Sequence, residues 1–212
     1  AINGADGDHP TPEILHDDIW TLLYTSGTTG RPKGAPNTFG MAFINAVNLG
    51  TAGEISPASK GITVLPLFHT GGLNCYATVL LHNGGSSLIM RAFDPGQALQ
   101  LIEDPDVGLT HFFGVPAIYL FMAQHPDFAT TDFSRLLRCG IGGAPTPVPL
   151  AETYVAKGIS LVQGFGIQKP AQRWPCNPPN WAAPNLAAPV GPACTANSKS
   201  SAKTAKKPAQ MK

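Results

Sequence analysis

Residues 1–166 of this 212-residue chain predict an α/β fold, and residues 167–212 predict a disordered tail. Three observations carry this. Short apolar strand patterns alternate with helix patterns as far as Gly166, the arrangement that builds a sheet covered by helices. The first strand pattern runs directly into a loop dense in Gly and Thr. Finally, all 13 acidic residues precede Gly166, whereas half of the 14 Lys and Arg follow it among Pro, Ala, Asn and Ser, a composition unable to bury a core.

In chain order, Trp20 to Tyr24 reads as a strand and Thr25 to Gly34 as the loop that follows. Thr38 to Leu49 is expected to be a helix with Met41, Ile44, Asn45 and Asn48 on one face. Ile62 to Leu65 and Ser87 to Met90 read as buried strands. Asp94 followed by Pro95 marks a helix start, since the carboxylate caps free N–H groups and proline lacks one that would go unpaired anyway. Leu99, Leu101 and Ile102 supply that helix's apolar side. Leu109 to Phe113 is strand-like, Pro116 to Gln124 helical, and Leu136 to Ile141 a strand ending at Gly142 and Gly143. Pro149 to Lys157 is a helix stopped by Gly158, and Ile159 to Gln163 is the last strand.

The hydrophobic content of 43% suits a globular domain. No apolar run approaches the roughly 18 residues of a membrane span, so no integral membrane segment is expected. Residue 1 is Ala, and the opening residues show neither a basic nor an apolar leader pattern, so the start reads as an internal point of a longer chain. Cys75, Cys139, Cys176 and Cys194 form no C-x-x-C pair and are read as free thiols of a cytoplasmic protein. His9, His16, His82, His111 and His125 show no ligand spacing and are expected to be structural or exposed.

The segment richest in chemistry is Tyr24-Thr25-Ser26-Gly27-Thr28-Thr29-Gly30-Arg31-Pro32-Lys33-Gly34. Glycines and hydroxyls packed this closely can turn backbone N–H groups and Oγ atoms toward phosphate oxygens, while Lys33 supplies a point charge. The G-x-x-x-x-G-K-[ST] pattern cannot be laid over these glycines. The plainer reading is a polar turn after a strand.

This segment resembles the signature of the ANL adenylate-forming superfamily, the acyl-CoA ligases, adenylation domains and luciferases. Three more segments resemble that superfamily in order and spacing: Leu65-Pro66-Leu67-Phe68-His69-Thr70-Gly71-Gly72, Gly142-Gly143-Ala144-Pro145, and Gln163-Gly164-Phe165-Gly166. Together they cover nearly all of residues 17–166, and bacterial-type fatty acyl-CoA ligases are the nearest in kind. The resemblance implies an incomplete large N-terminal domain of the ANL fold, with residues 1–166 a partial AMP-binding domain.

It also implies roles. Thr25, Ser26, Gly27, Thr28, Thr29, Gly30 and Lys33 would hold the β- and γ-phosphates of ATP. His69 would stand beside the acyl group as a gate, the alternative being a packed, hydrogen-bonded core histidine. Gly143, Ala144 and Pro145 would contact adenine, and Phe165, followed by Gly166, would stack on it. Gly114-Val115-Pro116-Ala117 resembles the wall of the acyl pocket, and its apolar character suits a fatty or aromatic acid.

The chain departs from the family after Gly166. Met-Thr-Glu-Thr-Gly is expected there, with the Glu holding Mg2+, and the chain reads Ile167-Gln168-Lys169-Pro170-Ala171. No catalytic Lys of a small C-terminal domain follows. One G inserted after the first two bases of the Ile167 codon gives codons that can spell Met-Thr-Glu-Thr-Gly-Pro-Thr-Val, so residues 167–212 are read as an out-of-frame tail. Alternatively, Lys199, Lys203, Lys206 and Lys207 would bind an acidic surface or nucleic acid, but nothing else in the sequence points to a nucleic-acid partner.

The expected activity is joining of a small carboxylic acid to coenzyme A with ATP and Mg2+, through an acyl-adenylate. The 212-residue chain is expected to be inactive alone. Alternatives are an adenylation domain loading a carrier protein and a non-catalytic nucleotide-binding fragment.

Overall fold

A computed structural model of the chain describes residues 12–25 and 33–164. The predicted tail, the residues between the strands of the first hairpin, and Phe165 and Gly166 lie outside the described residues.

Strand β1 (Ile19–Thr25) pairs antiparallel with β2 (Lys33–Thr38), and Thr25 lies opposite Lys33 in the register. Sequence reading ended the loop at Gly34 and began the next helix at Thr38, with no strand between them. Its Lys-Gly-Ala-Pro-Asn-Thr run has almost no strand propensity, and Pro36 is tolerated because a two-stranded sheet has only edges.

Helix α1 (Phe39–Ala52) starts at Thr38, whose Oγ1 accepts from Met41 N at 3.2 Å. Its buried side is Asn45, Ala46, Leu49 and Gly50. The expected face is therefore corrected: Ile44 is 56% exposed and Asn48 is exposed as well. The buried stripe is rotated toward the smaller side chains because α1 packs closely on a neighbouring helix, where a Cβ on Gly50 would already touch Asn83 at 2.7 Å.

The main sheet is parallel, with strands β3 (Lys60–Thr63), β4 (Ser86–Ile89), β5 (His111–Gly114), β6 (Arg138–Ile141) and β7 (Leu161–Gln163) in the order β4-β3-β5-β6-β7. Three abutting helical pieces connect β3 to β4: α2 (Thr70–Gly72), a π-helical segment (Leu73–Ala77) and α3 (Thr78–His82). Sequence reading missed them, since Thr-Gly-Gly is a poor helix opening. Helices α4 (Pro95–Glu103), α5 (Pro116–Gln124) and α6 (Val148–Val155) make the remaining crossovers. The bounds of α5 are those expected, and Asp94 Oδ1 caps α4 by accepting from Gln97 N at 2.7 Å. Gly158, at φ +78°, ends the run after α6 as expected.

Successive strand residues point to opposite faces, so each strand feeds two layers. Phe112, Cys139, Ile141 and Leu161 join Ile62 and Val64 in the larger core beneath α4, α5 and α6. There Tyr119 packs on Phe112 and Tyr154 with ring centroids 5.3 and 5.0 Å away. The Tyr119 hydroxyl donates to Gly140 O at 2.9 Å and that of Tyr154 to Tyr119 O at 2.8 Å, so neither buried hydroxyl is left unpaired. Each such fully buried ring stabilises the fold by about 1.5–3 kcal/mol. On the other face, Phe113 packs with Cys75, Tyr76 and Leu80 beneath the π-helical segment.

One expectation about burial fails. Strand β4 is the sheet's edge among the described residues, and Leu88 and Ile89 are 36% and 56% exposed.

Candidate functional site

Parallel strands send their carboxyl ends to one edge, and the chain reverses its direction of winding between β3 and β5. From β3 it steps outward to β4, then crosses back to β5 on the other side. The loops leaving β3 and β5 therefore diverge, which opens a crevice at that edge.

The loop after β3 is residues 64–69. It folds tightly against the start of α2, where a Cβ on Gly72 would stand 2.2 Å from Pro66 O and 2.5 Å from Leu65 O. His69 is extended, at φ −120° and ψ 148°, and its Nδ1 accepts from Gly71 N at 3.1 Å. The residue is exposed. With Nδ1 in the cap, Nε2 is the ring nitrogen available to a ligand. Phe68 beside it is 82% exposed.

The loop after β5 is Val115, followed by Pro116 at the start of α5. After β6 come Gly142, Gly143, Ala144 and Pro145. Gly143 adopts φ +80°, a turn closed to other residues without strain, and Gly143, Ala144 and Pro145 are all exposed. Backbone bonds lock these turns together, Gly142 N to Gly114 O at 3.1 Å and Gly164 N to Ile141 O at 2.7 Å.

Sequence reasoning did not assign Gln163 or Thr146 a role, and the structure does. Gln163 Nε2 donates to Ala144 O at 3.2 Å, and the Thr146 hydroxyl donates to Gln163 Oε1. Together they clamp the 143–146 turn onto the end of β7. The signal available in sequence was a polar amide ending an apolar strand.

Helix α1 is tied to the main sheet at its end. Its C-terminal cap, Gly53, offers its carbonyl to His111 Nε2 at 2.9 Å, and His111 opens β5 at the opposite edge of the sheet. Of the phosphate-loop residues, Thr25 and Lys33 are described in backbone only. Ser26, Gly27, Thr28, Thr29 and Gly30 lie outside the described residues, as do Phe165 and Gly166.

The groups with shifted protonation lie under the sheet instead. Burial pushes the Cys75 and Cys139 thiols up to about 12 and the Tyr76 and Tyr154 hydroxyls up as well. His111 is fully buried and pushed down, chiefly by burial. All five side chains are buried against the sheet. Among the described residues no helix is long and apolar enough to cross a membrane.

Among the described residues this edge thus carries the exposed turn Gly143–Pro145 and the exposed imidazole of His69. The pattern of the family described as AMP-binding enzyme matches residues 2–168. A feruloyl-CoA synthase of Amycolatopsis sp is 38% identical over 170 residues, covering 80% of this chain and 34% of that protein. The long-chain-fatty-acid–CoA ligase FadD13 of Mycobacterium tuberculosis is 33% identical over 168 residues, covering 78% and 32%. The indoleacetate–CoA ligase of Aromatoleum aromaticum is 37% identical over 155 residues, covering 73% and 30%. The chain thus spans about a third of the length of these relatives. Among solved structures, the inhibitor-bound N-terminal domain of FACL13 from Mycobacterium tuberculosis superposes with a TM-score of 0.69 at 32% identity, covering 76% of this chain and 39% of that one. ATP-bound MatB from Rhodopseudomonas palustris gives 0.68 at 30% identity, covering 74% and 31%.

Proposed function

Because the chain belongs to the AMP-binding enzyme family, we propose that it carries the nucleotide-binding part of an enzyme that joins a carboxylic acid to coenzyme A at the expense of ATP. The observation that supports this best is the gathering of His69, Gly114–Pro116 and the clamped Gly143–Pro145 turn at one sheet edge, at the reversal of winding.

In this reading Gly143, Ala144 and Pro145 form the rim against which adenine lies, with Phe165 as its stacking partner. Thr25 to Gly30 and Lys33 hold the β- and γ-phosphates. His69, through Nε2, orients the acid. A carboxylate oxygen attacks the α-phosphorus and pyrophosphate leaves. The CoA sulfur then attacks the acyl carbon, the bond to AMP breaks, and the thiol proton passes to solvent. The protein's part is positioning and charge stabilisation. Relatives named for feruloyl, indoleacetate and long-chain fatty acyl groups support a fatty or aromatic acid as the substrate class.

Lys169 stands where the resemblance places the carboxylate that would hold magnesium. The tail from Ile167 is read as an out-of-frame continuation, and the 212-residue chain as inactive by itself. A cytoplasmic setting suits the free thiols Cys75 and Cys139.

Acid-dependent exchange of pyrophosphate into ATP tests the reading, run on the 212-residue chain and on the product of the gene with one nucleotide restored at the Ile167 codon. Exchange in the restored form only is expected. Exchange by neither form, with any fatty or aromatic acid, overturns the ligase reading, and exchange by the chain itself overturns its inactivity.

A further inference from the structure

Helix α1 and the helical run from Thr70 to His82 meet at a junction that is polar where it is most buried. Asn45, in the middle of α1, is 9% exposed, and its Nδ2 donates to Asn74 O at 2.8 Å. Asn74, in the π-helical segment, is 7% exposed. The amide oxygens of both side chains are buried without a hydrogen-bond partner among the described residues. Other buried polar side chains are paired: His111 with Thr110 and the Gly53 carbonyl, Thr63 with Ser87, and Thr131 with the Asp127 carbonyl. An unpaired buried amide oxygen costs the fold what an apolar side chain of the same shape would not. The junction forgoes stability, the pattern expected where a local rule yields to function.

What Asn45 holds is the π-helical turn itself. That wide turn is closed by Thr78, whose backbone N–H and hydroxyl both donate to Leu73 O, the hydroxyl at 2.9 Å. Single turns of this kind occur frequently at functional sites. The turn joins His69 without a break: Gly72 N and Leu73 N donate to His69 O at 3.1 and 3.0 Å, and Gly71 N donates to His69 Nδ1. The 65–69 loop lies close over the same glycines, since a Cβ on Gly71 would meet Leu65 Cδ1 at 3.3 Å and one on Gly72 would meet Pro66 O at 2.2 Å. A displacement of the π-helical turn therefore carries the exposed imidazole with it, whereas Asn45 is shut away from solvent.

We propose that Asn45 is a positioning residue for the carboxylic acid: by holding Asn74 O it sets the π-helical turn, and through that turn the place of His69 Nε2. The inference rests on the ligase reading above, in which Nε2 orients the acid. Asn45 acts on the substrate only through His69, so its effect disappears when the imidazole is absent.

The test uses whichever of the two forms exchanges pyrophosphate, with 3-phenylpropenoic acid and dodecanoic acid as probes. Asn45→Leu keeps the branched shape and removes both the donor and the unpaired oxygen. It is expected to melt no lower than the unaltered protein, while kcat/KM for the accepted acid falls about tenfold and the KM for ATP stays fixed, a loss within the range for a misplaced group. In a His69→Ala background the same substitution is expected to cause no further fall, because the two residues act in series. Asn45→Ala removes the donor without adding bulk and is expected to give the same fall, which keeps the test decisive if Asn45→Leu fails to fold. An unchanged kcat/KM for the acid in these variants overturns the proposal. So does an equal second fall on top of His69→Ala, which would make Asn45 a packing contact alone. Absence of exchange with every acid instead removes the ligase reading beneath it.

Discussion

Gln163 shows how one side chain at a strand end can hold a turn, here the one proposed to meet adenine. Its amide holds the Ala144 carbonyl and takes the Thr146 hydroxyl. Gln163→Ala is expected to loosen the 143–146 turn and raise the KM for ATP about fivefold in the exchanging form, the equivalent of about 1 kcal/mol for lost hydrogen bonds. Hydrogen exchange at residues 143–146 should accelerate in parallel. His111 acts through protonation. Burial, helped by nearby Arg138, outweighs the Gly53 carbonyl and Glu54, which pull the other way, and holds its pKa below 6.5. On acidification the unfolded chain therefore binds the proton first. The stability due to His111 is present in full above about 6.5 and falls as the pH drops from there toward the folded value. Urea midpoints between pH 5 and 8 should show this slope, and His111→Gln should flatten it. Cys75 and Cys139, buried with thiols raised to about 12, are expected to resist iodoacetamide at pH 8 until denaturant is added, as peptide mapping would show.

At the scale of elements, legibility followed local chemistry. Helix α4 could be read because Asp94 and Pro95 state its start, and α5 because Pro116 does. Asp94→Ala should cost about 1 kcal/mol in urea unfolding, the usual worth of a cap. Strand β2 was illegible because its pairing with β1, not its own residues, makes it a strand. The run from Thr70 to His82 was illegible because its helicity is held by tertiary packing of Cys75, Tyr76 and Leu80 on the sheet and begins with two glycines. The exposure of β4 could not be read either, since an apolar run looks the same at the centre of a sheet and at its edge. Motifs marked the Gly143–Pro145 turn in sequence, whereas the Gln163 clamp on it depends on which strands become neighbours, and no local pattern states that.

For the molecule as a whole, the strand order β4-β3-β5-β6-β7 both makes the crevice and leaves apolar edge residues in water. Leu88 and Ile89 on β4 should promote association between copies, and Ile89→Lys is expected to reduce light scattering at high concentration without shifting the melting temperature. The reversal of winding has a temporal side too. The centre of the sheet joins β3 to β5, as when Lys60 N donates to Thr110 Oγ1 across a sequence separation of 50 residues. On a ribosome adding 5–20 residues per second, β3 would wait roughly 3–10 s for its central partner. During that interval only β4 is at hand, so the nascent chain passes through a two-stranded stage with an apolar face uncovered. The strand order that opens the crevice thus sets the period in which a chaperone is most useful.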